Sequence, residues 1–579
     1  MESPHFYFPN RDNIDRLINR WDILILILVF TILFFLGWTG KHMAAPYALG
    51  DPLPISLNPK ELPFYASRTV LRFFSALLLS ILFTFIVGTL AAKNRRAERI
   101  ILPAIDILQS VPVLSFLAIT VTGFIRLFPG SLLGPEMASI FAVFTAQVWN
   151  MTFSFYQSLT TVPKDLIEAA DIYQLSPWQR FWKIEVPFSM PSLLWNIMVS
   201  MSASWFFVVL SETIIVAHQN IRLPGIGSYI SLAITQHQLA PVGYAILTMI
   251  VVIFLYDQIL FRPLITWSEK FKMEQSPDEE EYQSWLIDFM RNSRLIRRFN
   301  HSINHLKSHL IHTPLLQFNR TKTRVNHDNQ SKTPVDRLWD ILVLGLITFS
   351  GYTLLHYILT ELKLQEIIHV FLLGTATGTR VLISILLSSI IWIPVGMWIG
   401  LRPQLAQKIQ PLIQFIAAFP ANLFYPLFVI MIVQFHLSVE IWVTPLIILG
   451  SQWYILFNVI AGASQIPREL YLVADNFGLS GWQWWKRLAL PGIFPFYITG
   501  AITAAGGAWN ASIVAECVSW GSTTLNATGL GDYINASTAA GDFPKIALGT
   551  AMMCTFVLLF NHFLWRPLYR LAQDRYHLN

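Results

Sequence analysis

Apolar residues along the chain occur in runs of about 20, separated by short polar segments. A run of that length crosses the hydrocarbon core of a bilayer as an α-helix, because each residue advances a helix by about 1.5 Å. The pattern therefore predicts an all-α, polytopic membrane protein with about twelve spanning helices. The predicted spans are Trp21–Trp38, 69–92, 100–125, 135–160, 192–217 and 241–265, then 338–358, 380–402, 411–436, 440–463, 493–518 and 545–565.

The composition agrees with this pattern. Hydrophobic residues make up 54% of the chain, charged residues only 13%, and the mean hydropathy is +0.50. A soluble protein this apolar would aggregate, because polar groups could not cover its surface. The two cysteines, Cys517 and Cys554, lie in or near apolar runs and predict neither a disulfide framework nor a zinc site.

The placement of basic residues predicts the topology. Those between the second and third spans are Lys93, Arg95, Arg96 and Arg99, and those between the fourth and fifth are Lys164, Arg180 and Lys183. Lys and Arg favour the cytoplasmic side, so these loops, the central segment and both termini are predicted to be cytoplasmic in a bacterial-type plasma (inner) membrane. The net charge of +6 thus indicates topology rather than nucleic-acid binding. Trp21–Trp38 is predicted to be an uncleaved span, because it is too long for a signal peptide and follows Asp12 and Asp15.

The two halves of the chain repeat one pattern. A shift of 308 residues brings Thr69 to Thr377 and Arg72 to Arg380. A shift of 304 residues applies further along the chain. It aligns the pairs Pro163/Pro467, Asp171/Asp475, Trp178/Trp482, Pro187/Pro491, Trp205/Trp509, Glu212/Glu516, Gly225/Gly529 and Gly227/Gly531. Shared membrane composition does not align rare Trp, Pro and Gly in this way, so a duplication is predicted.

The duplication divides the chain into a first permease-like repeat at 1–267, a cytoplasmic linker at 268–336 and a second repeat at 337–579. Six spans in each repeat is an even number, so both repeats enter the membrane from the same side. Such parallel repeats are related by an axis along the membrane normal, and the seam between them is the natural place for a pathway.

The linker differs from its flanks in composition. After the acidic run 278–281, apolar and basic residues mix in 285–299, which favours an interfacial helix on the anionic lipids of the inner leaflet. Three histidines spaced four apart follow, His301, His305 and His309. They would share one helix face, either as a solvated polar face or as part of a metal site. No carboxylate or cysteine nearby completes a site, so no metal is predicted.

The cytoplasmic loop after the fourth span predicts two short helices joined by a turn. Ser176 and Pro177 suit the start of the second helix. Ala169 and Ala170 are small enough for another surface to approach closely, and Pro187 is predicted to end the segment where the fifth span begins. An amphipathic loop of this kind can lie on the membrane or fit a groove in a partner.

This loop resembles the cytoplasmic signature of permease subunits of binding-protein-dependent ABC importers. That signature is Glu-Ala-Ala, three residues, Gly, nine residues, Ile, one residue and Leu-Pro. The first loop matches it with Glu168, Ala169, Ala170, Ile184 and Pro187. The second loop matches it with Ala474, Gly478, Leu490 and Pro491. The first loop has Gln174 in place of the glycine, and the second has Leu472 in place of the glutamate.

In that family the loop forms coupling helices that dock into the ATPase subunits, and the resemblance implies the same role here. The residues to which it assigns this role are Glu168, Ala169, Ala170, Asp171, Gln174, Pro187, Ala474, Asp475, Gly478 and Pro491. The departures predict two unequal ATPase contacts, made either with two different ATPases or with one that docks unequally. A glutamine at 174 is expected to alter the turn, because glycine adopts positive φ more easily.

Within the family, the chain looks closest to nitrate, sulfonate and taurine-type permeases. The residues that carry this resemblance are Thr69, Arg72, Thr377, Arg380, the stretches from Trp205 to Glu212 and Trp509 to Glu516, and the Gly-x-Gly-x-Tyr-Ile turns at 225–230 and 529–534. The resemblance implies a small anionic substrate such as nitrate, bicarbonate or an organosulfonate.

Four charged residues within the predicted spans are candidates for the pathway: Arg72, Arg380, Glu212 and Glu516. A charge there is costly unless it is paired or faces water. One interpretation is that the arginines snorkel outward or pair with the glutamates. The other is that they draw an anion to the outer mouth, a role that pairing would weaken.

Proline and glycine also mark these spans. Pro112 and Pro420 interrupt the third spans, either as packing kinks or as breaks beside a cavity. Gly225 and Gly227, with Gly529 and Gly531, are expected to form turns of outer re-entrant loops, and turn geometry alone would explain them.

The chain lacks a Gly-x-x-x-x-Gly-Lys-Ser/Thr phosphate loop, so it is not predicted to be an enzyme or to hold a cofactor. ATP and Mg would bind in two partner ATPase subunits, and a substrate-binding protein outside the membrane would deliver the solute. The predicted function is inward transport by alternating access. The alternative is an ion-coupled secondary transporter or channel without an ATPase, and a membrane enzyme is disfavoured because no acid, histidine or metal cluster is found.

Overall fold

The computed structural model describes residues 26, 30, 37–43, 45–47, 53–110, 112–216, 219–268, 286, 302, 334–521 and 523–575. Nearly all of the predicted first span and of the linker lie outside these residues, and with them the segment predicted as an interfacial helix and the three histidines that follow it. The described residues are mostly helical, which confirms the all-α class.

The described part of the first repeat consists of helices and one short hairpin. In chain order the elements are α1 (Pro59–Lys93), α2 (Arg95–Ser110), α3 (Leu117–Leu127), α4 (Leu133–Thr160), α5 (Lys164–Ile172), α6 (Pro177–Ser211), β1 (Thr213–Val216), β2 (Gln219–Arg222), α7 (Ile226–Thr235) and α8 (Leu239–Leu264). The strands pair antiparallel, with Thr213 opposite Arg222.

The second repeat has the same order of elements, and its described part begins one helix earlier. Its elements are α9 (Pro334–Glu361), α10 (Leu364–Gly400), α11 (Pro403–Ala418), α12 (Tyr425–Gln434), α13 (Val439–Ser464), α14 (Arg468–Asn476), α15 (Gly481–Ala515), β3 (Cys517–Trp520), β4 (Thr523–Asn526), α16 (Leu530–Ala540) and α17 (Phe543–Arg575). α9 stands where the predicted first span would stand in the first repeat.

Packing follows the repeat. α1 and α6 both pack against α4, and α10 and α15 pack against α13 in the same way. Each repeat contributes most of one apolar core, which includes Trp205 in the first and Trp509 in the second, and both indole rings are buried. The two repeats also meet directly, with α6 and α8 against α11.

Eight helices of the described part are long and apolar enough to cross a membrane, or nine when one bent pair counts as a span. Helices α2, α3 and α4 lie within predicted spans but are not among these long, apolar helices. The total of twelve therefore stays a prediction, while the polytopic class is confirmed.

The third spans are broken rather than kinked. α2 ends at Ser110 and the chain resumes after Pro112 with a 3₁₀ turn, Val113–Phe116. In the second repeat the helices on either side of Pro420 are bent by 68°. Phe419, which precedes this proline, is extended because the proline ring disfavours helical geometry at the residue before it.

The fifth spans begin earlier than predicted. Helix α6 starts at Pro177, where Ser176 Oγ accepts a hydrogen bond from Gln179 N at 3.2 Å and caps the helix. It then runs through Pro187, so the prediction that this proline ends the segment was wrong. A single π-helical turn at Phe181–Glu185 precedes the proline, which then lies in the first turn of the next α-helical segment and costs no regular hydrogen bond. Helix α15 repeats this arrangement with Trp485–Ala489 and Pro491.

Candidate functional site

Arg72 lies at the centre of a buried ion-pair network in the first repeat. Its Nε and Nη2 donate to Glu136 at 2.5 and 2.8 Å, and its Nη1 donates to Glu212 at 2.7 Å. Arg68 Nη2 also pairs with Glu136. Glu212 accepts a further bond from Thr69 Oγ1 at 2.5 Å. All five residues are buried, so two arginines balance two glutamates inside the protein.

Arg380 holds the corresponding place in the second repeat. Its Nη1 donates to Glu516 at 2.9 Å, its Nη2 pairs with Glu440, and Thr377 Oγ1 donates to Glu516 at 2.8 Å. Glu440 also accepts from Thr528 N at 3.0 Å. Unlike the other carboxylates, the Glu440 side chain is 49% exposed.

The four candidate pathway residues are therefore brought together in two pairs, Arg72 with Glu212 and Arg380 with Glu516. This is the pairing alternative, and it weakens any role in attracting an anion. Sequence reasoning missed Glu136 and Glu440, the second acid of each network. Glu136 and Glu440 are separated by 304 residues, which equals the shift between the repeats. This spacing could have identified them as an equivalent pair.

The glycines of the turns that begin α7 and α16 are explained by close packing on these networks. Gly225 has φ 177°, an extended geometry open to any residue, but a Cβ there would overlap the Glu212 carboxylate. A Cβ on Gly531 would lie 2.6 Å from Ser512 O. The Gly227 amide donates to Glu212 Oε2 at 2.7 Å. Turn geometry alone therefore does not explain these glycines. Their backbone lies so close to a buried carboxylate or carbonyl that a side chain would not fit.

The two loops that resemble the family signature adopt the same turn. Gln174 has φ 50° and Gly478 has φ 60°, so the glutamine does not alter the turn as expected but adopts the left-handed conformation itself. The amide that follows closes the turn in both loops, from Leu175 to Ala170 O at 3.0 Å and from Leu479 to Ala474 O at 2.9 Å. This bond pattern is a common helix C-cap.

The loops present exposed faces of different chemistry. Glu168, Asp171 and Gln174 are exposed on the first loop, where Ile172 and Tyr173 are 78% and 79% exposed. The exposed residues on the second loop include Leu472, Val473, Asp475, Phe477 and Gly478.

The small residues of the loops do not all face outward. Ala170 and Ala474 are buried against the chain itself, so the expectation that Ala170 admits another surface was wrong. Ala169, Pro187 and Pro491 are partly buried. The small size of Ala170 and Ala474 instead lets each short helix pack closely on its own repeat.

An ion-pair cluster anchors the first loop. Lys93 Nζ donates to both oxygens of Glu185 at 2.6 Å, and Arg180 Nε donates to Glu185 Oε1 at 2.8 Å. This cluster joins the C-terminal end of α1 to the start of α6. The corresponding residues of the second repeat are apolar: Leu401, Ala489 and Trp484.

A cavity of about 80 Å³ lies at the seam between the repeats. Helix α6 lines it from the first repeat, and α11, α13, α15 and the break at Pro420 line it from the second. The break at Pro420 therefore lies beside a cavity, which agrees with the second of the two interpretations of these prolines. The lining is aromatic and small, with three polar side chains besides a tyrosine, namely Ser202, Gln414 and Asn510.

Asn510 connects this cavity to the other broken span. Its Oδ1 accepts a hydrogen bond from Val113 N at 2.9 Å, the first amide after Pro112. The bond satisfies a backbone donor that the break frees from regular helical bonding. It also crosses from the second repeat to the first, which no sequence pattern indicated.

Comparison with known proteins gives relatives of one kind. The bicarbonate transport system permease protein CmpB of Synechococcus elongatus is 32% identical over 143 residues, which are 25% of this chain and 50% of that protein. The nitrate import permease protein NrtB of Leptolyngbya laminosa is 26% identical over 186 residues, 32% of this chain and 63% of that protein. The glycine betaine transport system permease protein OpuAB of Bacillus subtilis is 25% identical over 170 residues, 29% of this chain and 55% of that protein.

The matches thus span about half the length of the bicarbonate relatives. The model of one family matches this chain twice, at 84–261 and at 392–571, which together exceed half of its length and lie in the two repeats. The chain therefore belongs to the family of inner membrane components of binding-protein-dependent transport systems, with the family domain present twice.

Proposed function

We propose that this protein forms the membrane-spanning part of an ATP-driven importer, in which the two repeats take the places of two permease subunits. The observation that carries the proposal is the pair of cytoplasmic helices α5 and α14. Both end in the same left-handed turn, at Gln174 and Gly478, and both carry exposed apolar side chains.

An exposed apolar side chain such as Tyr173 or Phe477 gains free energy when a partner covers it. A short helix and a closed turn form a rigid projection, which suits insertion into a groove of a partner. Two ATPase subunits, one on each loop, and a substrate-binding protein outside the membrane complete the proposed importer. ATP and Mg would bind to the ATPases and not to this chain.

The proposed substrate is a small anion such as nitrate, bicarbonate or a sulfonate. Support comes from the names of the bicarbonate and nitrate relatives. The buried arginines no longer add support, because Arg72 and Arg380 are paired with glutamates.

Purification of the full-length protein from native membranes, followed by mass spectrometry, tests the proposal. We expect an ATP-binding-cassette ATPase and an extracytoplasmic binding protein to co-purify. Recovery of the protein with no ATPase, under conditions that keep a known importer of this kind intact, would contradict it and favour an ion-coupled transporter. A ligand screen on the co-purified binding protein would then identify the substrate.

A further inference from the structure

We propose that a groove between α2 and α9 binds an anionic phospholipid, with the lipid phosphate at the arginines of α2 and an acyl chain along α9. The proposal concerns the junction of the two repeats and does not depend on the proposed function. Three features carry it: an open apolar groove, a cluster of arginines at one end of that groove, and the replacement of this cluster in the equivalent helix α11.

The groove lies where the two repeats meet. Its volume is about 180 Å³, and it is lined by Arg99 of α2 and by Trp339, Val343, Leu344 and Ile347 of α9. Both helices also pack against α17. Because α2 belongs to the first repeat and α9 to the second, a ligand in this groove contacts both repeats together.

The lining residues of α9 form one apolar face. Trp339, Val343 and Ile347 are spaced four residues apart, which places them on one side of the helix over a rise of about 12 Å. Leu344 and Ile347 are 62% and 58% exposed. An acyl chain suits this face because it is apolar and long. Inorganic phosphate has no apolar part to place there, so the lining favours an amphiphile.

Arginines mark the end of the groove that lies at a membrane boundary. Arg95, Arg96 and Arg99 follow the predicted second span, and Arg95 and Arg96 are exposed. Trp339 lies at the beginning of the predicted span in α9, and its Nε1 donates to Arg96 O at 3.3 Å. The bond holds the first turns of α2 and α9 at the same depth. Tryptophan is enriched at the depth of the lipid head groups.

The charge at this end of the groove suits a phosphate. Over 95–99, α2 has three arginines and one acid, Glu98, whose Oε1 accepts from Tyr156 Oη at 2.5 Å. Residues 334–340 at the start of α9 add two acids and one arginine, so the excess of charge is positive. A guanidinium group has five N–H donors, so one arginine can bond a protein group and a phosphate oxygen together. Basic pockets between membrane helices bind anionic lipid head groups.

The equivalent helix of the second repeat does not repeat these arginines. At the shift of 308 residues, the positions of the three arginines are taken in α11 by Pro403, Gln404 and Gln407. The architecture of the repeat therefore does not by itself require arginines at this place, because α11 occupies it without them. The cluster is a feature of the junction between α2 and α9, as a lipid site at that junction requires.

Native mass spectrometry of the full-length protein in detergent tests the proposal, with dioleoylphosphatidylglycerol and dioleoylphosphatidylethanolamine as probes. We expect the first phosphatidylglycerol to bind about fivefold more tightly than the first phosphatidylethanolamine, because the arginines repel the ammonium group of the latter. Inorganic phosphate at the same concentration should not displace phosphatidylglycerol, because it does not contact the apolar face of α9.

Variants of the groove locate the bound lipid. Arg99→Gln should weaken the binding of phosphatidylglycerol about fivefold and leave that of phosphatidylethanolamine unchanged. Val343→Phe fills the groove without a change of charge and should also weaken the binding of phosphatidylglycerol. Arg126→Gln is the matched control, because it removes one exposed arginine at the far end of the same broken span, and its lipid binding should be unchanged.

Three outcomes would overturn the proposal. These are equal affinities for the two lipids, displacement of phosphatidylglycerol by inorganic phosphate, and equal losses of affinity in Arg99→Gln and Arg126→Gln. If Arg99→Gln does not fold, Val343→Phe decides, since full affinity for phosphatidylglycerol in that variant also contradicts the proposal. Each of these outcomes is independent of whether an ATPase co-purifies, so the lipid site and the importer are tested separately.

Discussion

The two repeats hold the same arginine in the same place, but they balance its charge differently. Around Arg72, two arginines meet two glutamates and every member is buried. Around Arg380, one arginine meets Glu440 and Glu516, and Glu440 is half exposed. A closed network must be neutral because a buried charge without a partner is costly, whereas an acid that reaches water needs no second arginine.

The segments that begin α6 and α15 show the same kind of difference. The first repeat joins the start of α6 to α1 through Lys93, Glu185 and Arg180, while the second repeat has apolar residues at the corresponding positions. The two repeats thus share the same backbone arrangement, but the first has ion pairs where the second has apolar side chains. Comparing variants at equivalent positions shows which of these differences matter.

The largest expected difference concerns the second acid of each network. Glu136→Gln leaves Arg68 and Arg72 buried with one carboxylate between them, and we expect a loss of about 3–5 kcal/mol of stability. Glu440→Gln removes a half-exposed charge and should cost at most about 1 kcal/mol. Thermal unfolding of the detergent-solubilised variants, followed by size-exclusion chromatography, measures both. Equal losses of thermal stability would show that exposure of Glu440 does not separate the two networks.

The glycines of the turns that begin α7 and α16 should respond equally in both repeats. Gly227→Ala brings a methyl group against Val209 O, and Gly531→Ala brings one against Ser512 O, so each should destabilise by about 1–3 kcal/mol or more. Gly243→Ala is a control, because nothing lies within 4 Å of the added carbon. The same unfolding measurement applies, and a neutral result at either turn would mean that the backbone yields there.

The proposed ATPase contacts should differ in their response to salt. Glu168→Lys reverses a charge on the first loop. It should weaken the binding free energy of the ATPase by roughly 1 kcal/mol at low ionic strength and by less at high ionic strength. The amount of ATPase that co-purifies reports the change. Leu472→Ala removes apolar surface from the second loop and should weaken it at any ionic strength.

Two further measurements complete that comparison. Glu168→Leu makes the first loop resemble the second and should reduce the salt dependence of the complex. Membrane insertion of all three variants is the control, because these side chains are exposed. If ATPase co-purification depends on salt equally in Glu168→Lys and Leu472→Ala, the two loops do not make chemically distinct contacts.

The smallest expected effect is at the left-handed turn. Gln174→Gly should stabilise the first loop by about 1 kcal/mol, because a side chain costs roughly 1–2 kcal/mol in this conformation. Gly478→Gln should destabilise the second loop by a similar amount. Hydrogen exchange at the Leu175 and Leu479 amides, which close the two turns, reports each change. Opposite signs are expected, and the same sign in both loops would refute strain as the cause.

Much of the fold follows from the sequence alone. Apolar runs of spanning length determine an all-α membrane protein, since a helix satisfies its backbone locally within a bilayer. Residues such as Trp205 and Trp509 reveal the duplication because they are rare and recur at a constant shift. The two loops that resemble the family signature are recognisable for the same reason, since Pro187 and Pro491 keep their spacing from the short helices.

The tertiary structure alone decided which charges meet and where the repeats touch. Glu136 lies 64 residues from Arg72, and Asn510 lies 397 residues from Val113, so no local pattern links them. The glycines at 225 and 531 are required by a carboxylate or carbonyl that packing brings against them, not by their own torsion angles. Sequence determines what each segment can form by local hydrogen bonding and burial. The pairing of buried charges and the shape of the seam depend on contacts between distant segments, which exist only once the helices have packed.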